Sequence, residues 1–223
     1  YIESIGCEEI LNELIATYES VDELDINKLP QSFALKLNVG CGYNIIVPDK
    51  NKLDIEDAKA KLRKWMKTKY YLGYSEMQYK GVKPIILVER YLKPQSGVLP
   101  EDYKFYAFDG DVPYVMVCTD RTDGGRHAKY WYYNKNWEMQ MMSEDALKYG
   151  TGASIPKPEG IDEAFEYARK LSKGFPFVRV DLYLVDGRVY FGELTFTKGA
   201  GLDKIYSYSF DLEMGKLLKL LGN

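Results

Sequence analysis

The sequence predicts an α+β chain of two lobes, and three observations predict it. Strand-like runs rich in Val, Leu, Phe and Tyr flank hairpin signals at Asp109-Gly110 and Asp186-Gly187. Amphipathic stretches at helical spacing separate those runs, one over residues 54–66 and one over 161–171. A polar linker with Pro94, Gly97 and Pro100 follows an apolar strand and reads as a hinge, so residues 1–90 are expected to form a small lobe and residues 91–223 a larger one.

Taken in order, the small lobe opens on a segment with eight acids and no base before Lys28. Ile5, Ile10, Leu11, Leu14, Ile15 and Tyr18 roughly follow helical spacing there, which predicts an N-terminal helix with a solvated acidic face. Leu29-Pro30 breaks it. FALKLN (33–38), a loop bearing Gly40 and Gly42, and YNIIV (43–47) read as strand, loop, strand, with Lys36 inside the first. Asp54 is a good N-cap for a helix whose Ile55, Ala58, Leu62, Trp65 and Met66 make one apolar stripe, completing a β-β-α lobe. Pro84 then opens PIILVERYL, a strand that carries Glu89 near its end.

In the larger lobe DYKFYAFDG and VPYVMVCT read as strands joined at Asp109-Gly110, with Lys104 alternating against aromatic neighbours. A basic loop, DRTDGGRH (120–127), separates them from the strand-like KYWYY and NWEMQMM. Ile161, Ala164, Phe165, Ala168 and Leu171 mark a helix that Gly174 ends. A closing helix is expected from Asp211, with Leu212, Leu217, Leu218 and Leu221.

The stretch FVRVDLYLVDGRVYFGELTF (177–196) carries the strongest functional signal: two apolar strands, each holding one carboxylate, Asp181 and Glu193. Burying both costs several kcal/mol unless something positive compensates, and a hard divalent cation with oxygen ligands does so. Without a metal the two acids would repel each other. Parity constrains this reading. A two-residue Asp186-Gly187 loop without a bulge sets Val180 opposite Glu193 and turns Asp181 to the other face. A three-residue loop with Gly187 in a bulge pairs Arg179 with Glu193 and sets Asp181 diagonally beside it, and this register is the expected one. The alternative is an exposed hairpin whose acids face water.

Composition narrows the field. A chain of 223 residues, 46% hydrophobic, can bury a substantial core, and no run of apolar residues long enough to span a membrane and no leader is visible. Thirty basic against 33 acidic residues, a net charge of −3, give no bulk attraction to nucleic acid, and the 20 tyrosines mostly alternate within strand-like runs. Cys7, Cys41 and Cys118 are scattered without metal-ligand spacing, which fits a reducing cytoplasm. Oligomeric state is not legible.

Together the order is lysine strand, glycine loop, helix, strand with one glutamate, then a two-carboxylate hairpin. A nucleoside triphosphate needs those parts: loop amides and a lysine for phosphates, an apolar hinge for the base, and acids for a bridging metal. VGCG does not match a P-loop, and no dinucleotide-binding glycine fingerprint follows a strand. His127 is the sole histidine and no nucleophile elbow accompanies it, which removes a serine-hydrolase reading.

On LPQSFALKLNVGCGYNIIV, ILVERYL, DYKFYAFDG and above all FVRVDLYLVDGRVYFGELTF, the chain resembles the ATP-grasp superfamily, and within it the TupA-like branch linked to teichuronopeptide and other surface-polysaccharide biosynthesis. The resemblance implies two α+β lobes with antiparallel sheets enclosing a nucleotide cleft, with ATP and Mg2+ as cofactors. It implies Lys36 on the α and β phosphates, the Gly40–Asn44 loop with Gly42 as the flap, Glu89 near the adenine amino group, and Tyr91 and Leu92 along the ring edge. Asp181 and Glu193 match the two magnesium acids. Many members have Asn two residues further on, where this chain has Thr195, also an oxygen donor. The superfamily's other phosphate-contacting lysine often lies upstream of a position such as Tyr1, and Lys104 is the substitute candidate.

The expected activity is an ATP-dependent carboxylate–amine ligase acting through an acyl phosphate, with Arg179 stabilising the transferring phosphoryl group or the tetrahedral intermediate. Its partners would be small-molecule or carbohydrate carboxylates and amines. Other readings are a sugar kinase, a glycosyltransferase and a catalytically decayed ATP-binding module. Each residue also has a plainer reading: Lys36 as an exposed strand lysine, Glu89 as a surface acid, and Arg121, Arg126 and His127 as a solvated loop.

Overall fold

Strand pairing divides the chain into two antiparallel sheets. The computed structural model describes residues 1–94, 99–119, 128–149, 155–202 and 207–220. One compact unit is Asn12–Lys93, and the other combines Tyr1–Leu11 with Pro94–Asn223.

The smaller unit contains β1 (Leu14–Tyr18), β2 (Phe33–Leu37), β3 (Asn44–Val47), α1 (Ile55–Lys67), α2 (Tyr70–Tyr74) and β4 (Ile86–Arg90), with sheet order β1-β4-β2-β3. Alternation along β2 buries Phe33, Leu35 and Leu37 with Leu62 of α1, Ile86 and Val88. Lys36 therefore points to the opposite face. Asp54 caps α1 by accepting the Asp57 backbone N–H at 3.0 Å, and Trp65 on α1 stacks on Tyr43 with centroids 5.2 Å apart. The glycine loop is anchored by Asn38, whose side chain accepts from Ile85 N at 2.7 Å and donates to Lys83 O at 3.1 Å. Gly40 has φ of +80°, and a Cβ there would lie 2.8 Å from the Tyr70 ring, so only glycine suits this turn.

In the larger unit β5 (Asp102–Phe108), β6 (Asp111–Thr119), β7 (Lys129–Asn134), β8 (Met139–Gln140), β9 (Val178–Val185) and β10 (Arg188–Thr195) form one sheet in the order β10-β9-β5-β6-β7-β8. The helices are α3 (Glu144–Tyr149), α4 (Ile161–Ser172) and α5 (Tyr208–Leu217). One sheet face, including Phe105, Val115, Val180 and Leu182, buries against Ile161, Ala164, Phe165 and Leu171 of α4, the helix stripe the sequence predicts. On the other face α5 covers only an apolar end, where Phe210 and Met214 meet Tyr106, Met116 and Tyr132. The charged residues of the site lie on that same face, on β5, β9 and β10.

Four expectations are corrected. The N-terminal helix does not form: Glu3–Ile5 and Glu8–Ile10 are single 3-10 turns, the first closed by Gly6 at φ +68°, and Leu14–Tyr18 is a strand paired with β4. Ile10 packs in the larger unit and Tyr18 in the smaller, so the apparent helical spacing joined contacts belonging to two cores. NWEMQMM contributes only the two-residue β8, because Asn134 and Trp137 form a turn in which Trp137 takes φ +62°. In the closing helix Phe210 and Met214 are buried while Leu212 is exposed; Leu221 lies outside the described residues, as does the 120–127 loop with Arg121, Arg126 and His127.

The fourth correction concerns the acidic hairpin. Its turn is the two-residue Asp186-Gly187, both at positive φ, with Arg188 opposite Val185. The bulge lies inside β10 at Gly192 instead: Phe191 pairs with Leu182, and Glu193 then pairs with Asp181. That extra residue reverses the parity, so the two carboxylates are direct cross-strand partners on one face, and Arg179 pairs with Thr195. A Cβ on Gly192 would stand 2.8 Å from the Asp181 carbonyl oxygen. Gly192→Ala is therefore expected to lose about 1–3 kcal/mol in urea unfolding. Gly73→Ala, where a Cβ meets nothing within 4 Å, serves as the control; equal losses in both would refute the close-contact argument.

Candidate functional site

The larger unit gathers six polar side chains on the sheet face opposite α4. Arg179 and Asp181 share that face of β9 because they are two residues apart. Arg179 Nε donates to Asp181 Oδ1 at 2.6 Å and Nη2 to Oδ2 at 2.7 Å, a bidentate pair. Nη2 also reaches Thr195 Oγ1 at 3.0 Å and Glu193 Oε1 at 3.3 Å, and Thr195 donates to Glu193 at 3.1 Å. From the neighbouring strand, Lys104 Nζ donates to Asp181 Oδ2 at 2.5 Å and lies 2.6 Å from Asp102 Oδ2.

Burial and charge distinguish the two hairpin acids. Asp181 is 2% exposed, whereas the Glu193 side chain is 57% exposed. The positive compensation that buried Asp181 requires comes from Arg179 and Lys104. Burial alone would therefore be answered within the protein, and it does not by itself require a cation. Burial works to lower the Lys104 pKa, but Asp181 and then Asp102 outweigh it and hold the ammonium above its ordinary value. Burial likewise opposes the Arg179 charge, and Asp181 more than restores it.

The oxygen donors on the two hairpin strands are of the type a hard cation takes. Asp181 and Glu193 are cross-strand partners and Thr195 adds a hydroxyl, while both Asp181 oxygens are already held by Arg179 and Lys104. Among the described residues no group of three or more His, Cys, Asp or Glu is placed to hold a metal ion. A two-carboxylate set is what Mg2+ ordinarily uses, with phosphate and water oxygens completing its octahedron.

The smaller unit gathers a second group. Lys36 Nζ donates to Glu89 Oε2 at 2.7 Å, and Asn12 Nδ2 donates to the same oxygen at 3.2 Å and to Arg90 O at 2.9 Å. Both side-chain bonds fall on Oε2. The lysine and the glutamate lie on adjacent strands, with Ala34 paired to Glu89 and Lys36 to Leu87. Gly40 and Gly42 belong to the β2–β3 turn of the same sheet, and Tyr91 and Leu92 directly follow β4. Burial raises the Tyr91 phenol above its ordinary pKa.

Sequence reasoning missed two of these residues. Asp102 sits at the start of β5 with Lys104 two positions on, so strand parity could have found it. Asn12 carried no signal, because its partners are 77 and 78 positions away.

The two antiparallel sheets with their helices place the chain in the α+β class, and its fold matches that of ATP-grasp ligases. Among solved structures, D-alanine–D-alanine ligase from Bacillus anthracis, complexed with ATP, superposes with a TM-score of 0.53 at 14% identity over 97% of this chain and 62% of that one. The L-amino acid ligase from Bacillus licheniformis gives a TM-score of 0.51 at 15% identity, covering 90% and 42% respectively. The chain thus spans less than two thirds of either protein. No protein of curated function matches it in sequence. The chain belongs to the TupA-like ATP-grasp family, whose model matches residues 1–219. No helix among the described residues is long and apolar enough to cross a membrane.

Proposed function

We propose that this chain carries the ATP site of a carboxylate–amine ligase that works through an acyl phosphate. The observation behind this reading is the cluster on β5, β9 and β10, in which two cations and two adjacent carboxylates occupy one sheet face. In the proposed reaction the carboxylate of one substrate attacks the γ-phosphorus of ATP, releasing ADP. An amine then attacks the acyl carbon, and inorganic phosphate leaves.

Asp181, Glu193 and Thr195 would hold Mg2+, which when bound neutralises charge on phosphate oxygens. The protein's own groups do the rest. Lys104 and Arg179 present fixed positive charge where negative charge develops. Among the described residues Arg179 Nη1 has no protein partner, which leaves it for a phosphoryl or carboxylate oxygen. Lys36 and the Gly40–Gly42 turn would serve the α and β phosphates. Glu89, with Oε1 not engaged by Lys36 or Asn12, would accept from the adenine amino group, and Tyr91 and Leu92 would border the ring. The family context suggests joining an amino acid or peptide to a uronic-acid polymer or precursor in cytoplasmic steps of surface-polysaccharide biosynthesis.

The experiment supplies ATP, magnesium, a panel of uronic acids and a panel of amino acids. The expected products are ADP, inorganic phosphate and an amide, with hydroxylamine trapping the acyl phosphate as a hydroxamate when the amine is omitted. A stable phosphorylated sugar would instead establish a kinase, transfer from a nucleotide sugar a glycosyltransferase, and ATP binding without turnover a binding module.

Lys36→Met tests the smaller unit separately. Losing a charge-assisted bond to phosphate should raise the ATP dissociation constant about 10- to 150-fold, from roughly 1.5–3 kcal/mol. Adenosine binding should be unchanged. An equal loss for adenosine in calorimetry would show that the Lys36–Glu89 pair is structural.

A further inference from the structure

We propose that Asp102 is a positioning residue that holds the Lys104 ammonium for phosphate contact. The inference rests on the reading of Lys104 as a phosphate-contacting group and extends it to a residue outside the expected set.

Three observations carry it. Asp102 is 5% exposed, a rare position for a carboxylate unless it is paired. It lies on the same face of β5 as Lys104, two residues away, and its Oδ2 is 2.6 Å from Lys104 Nζ. Asp181 Oδ2 stands 2.5 Å from the same ammonium, so Lys104 is shared between two carboxylates on adjacent strands.

The sharing matters because Asp181 has other claims on it. Arg179 already binds both its oxygens, and a metal would draw further on the same carboxylate. With Asp181 as sole partner, the flexible lysine stem would let the ammonium collapse against β9. Asp102 draws it back along β5 and fixes it between the strands, which restricts a long side chain with many rotamers. Asp102 itself need not touch the substrate.

A double-mutant cycle read by calorimetry tests this, with ATP and adenosine as the ligands. In the wild type, Lys104→Met should weaken ATP binding about 10- to 150-fold, the range for a charge-assisted bond, and leave adenosine unaffected. In an Asp102→Asn background the same Lys104→Met change should cost less than about threefold, because the lysine is no longer held where phosphate lies. Asp102→Ser is a second uncharged variant should Asn fail to fold, and Asp102→Glu, which keeps the charge, should restore most of the Lys104 effect. If Lys104→Met costs the same with and without the Asp102 carboxylate, the positioning role is refuted while the site reading stands. Asp102→Asn weakening adenosine as much as ATP would also refute it, in favour of a purely structural role. If Lys104→Met leaves wild-type ATP affinity unchanged, both the inference and the reading beneath it fall.

Discussion

Asp181→Ala is expected to lose about 3–5 kcal/mol of unfolding free energy, because it removes the shared partner of two buried cations. The Asp181 side chain is 3% exposed and those of Arg179 and Lys104 are 8% and 16%. Three short charge-assisted bonds converge on its two oxygens. Without it Lys104 retains Asp102, and among the described residues Arg179 retains Thr195 and the exposed Glu193. Removal that leaves the fold intact is not expected at Asp181, where the two cations outweigh the repulsion expected between the metal-free acids. That outcome is expected only for Glu193→Gln, which should stay within about 0.5 kcal/mol as a surface substitution.

Urea unfolding at neutral pH measures both variants, and losses within 1 kcal/mol of each other would contradict the pairing argument. The pH dependence has a definite sign. Lys104 is raised in the folded state, so its contribution is fully present below the ordinary lysine value of about 10.4 and is lost only as pH rises through the higher folded value. The difference between wild type and Asp181→Ala should therefore persist across neutral pH and shrink in strong alkali.

Arg179→Lys is expected to lower turnover about 10²–10³-fold, the range for removing one donor from a charge-stabilising site. ATP affinity should change less than about tenfold. Lysine keeps the positive charge, so the bulk attraction to a triphosphate survives. It cannot span Asp181 in bidentate fashion while also reaching Thr195 and Glu193, as the guanidinium does. The loss should therefore fall on charge that develops during transfer. ADP release with an amide-forming substrate pair measures turnover, and calorimetry measures affinity. Equal losses in the two would assign Arg179 to ground-state nucleotide binding.

The local devices of this fold were readable from short windows of sequence. Asp54 caps α1 as its position before an apolar stripe requires, and the α4 stripe faces the core. The hairpin's position at Asp186-Gly187 was legible too, although its loop has two residues and not the three expected. Each of these depends on periodicity, or on one residue's backbone preference, within a dozen positions. The acid pair Asp181 and Glu193 was legible as well, because a carboxylate in an apolar strand is conspicuous whatever surrounds it.

The three-dimensional structure alone decided which groups meet. The bulge lies at Gly192 rather than at the turn, because β10 must pass so close to the Asp181 carbonyl that only a residue without Cβ fits. Leu14–Tyr18 became a strand because the edge of β4 offered it a ladder of hydrogen bonds stronger than its helical spacing. Lys104 and Asp181 are 77 positions apart, and Lys36 and Glu89 are 53 apart. No local preference encodes such pairs. They follow from strand register, in which a slip of one residue would turn every one of these side chains to the other face.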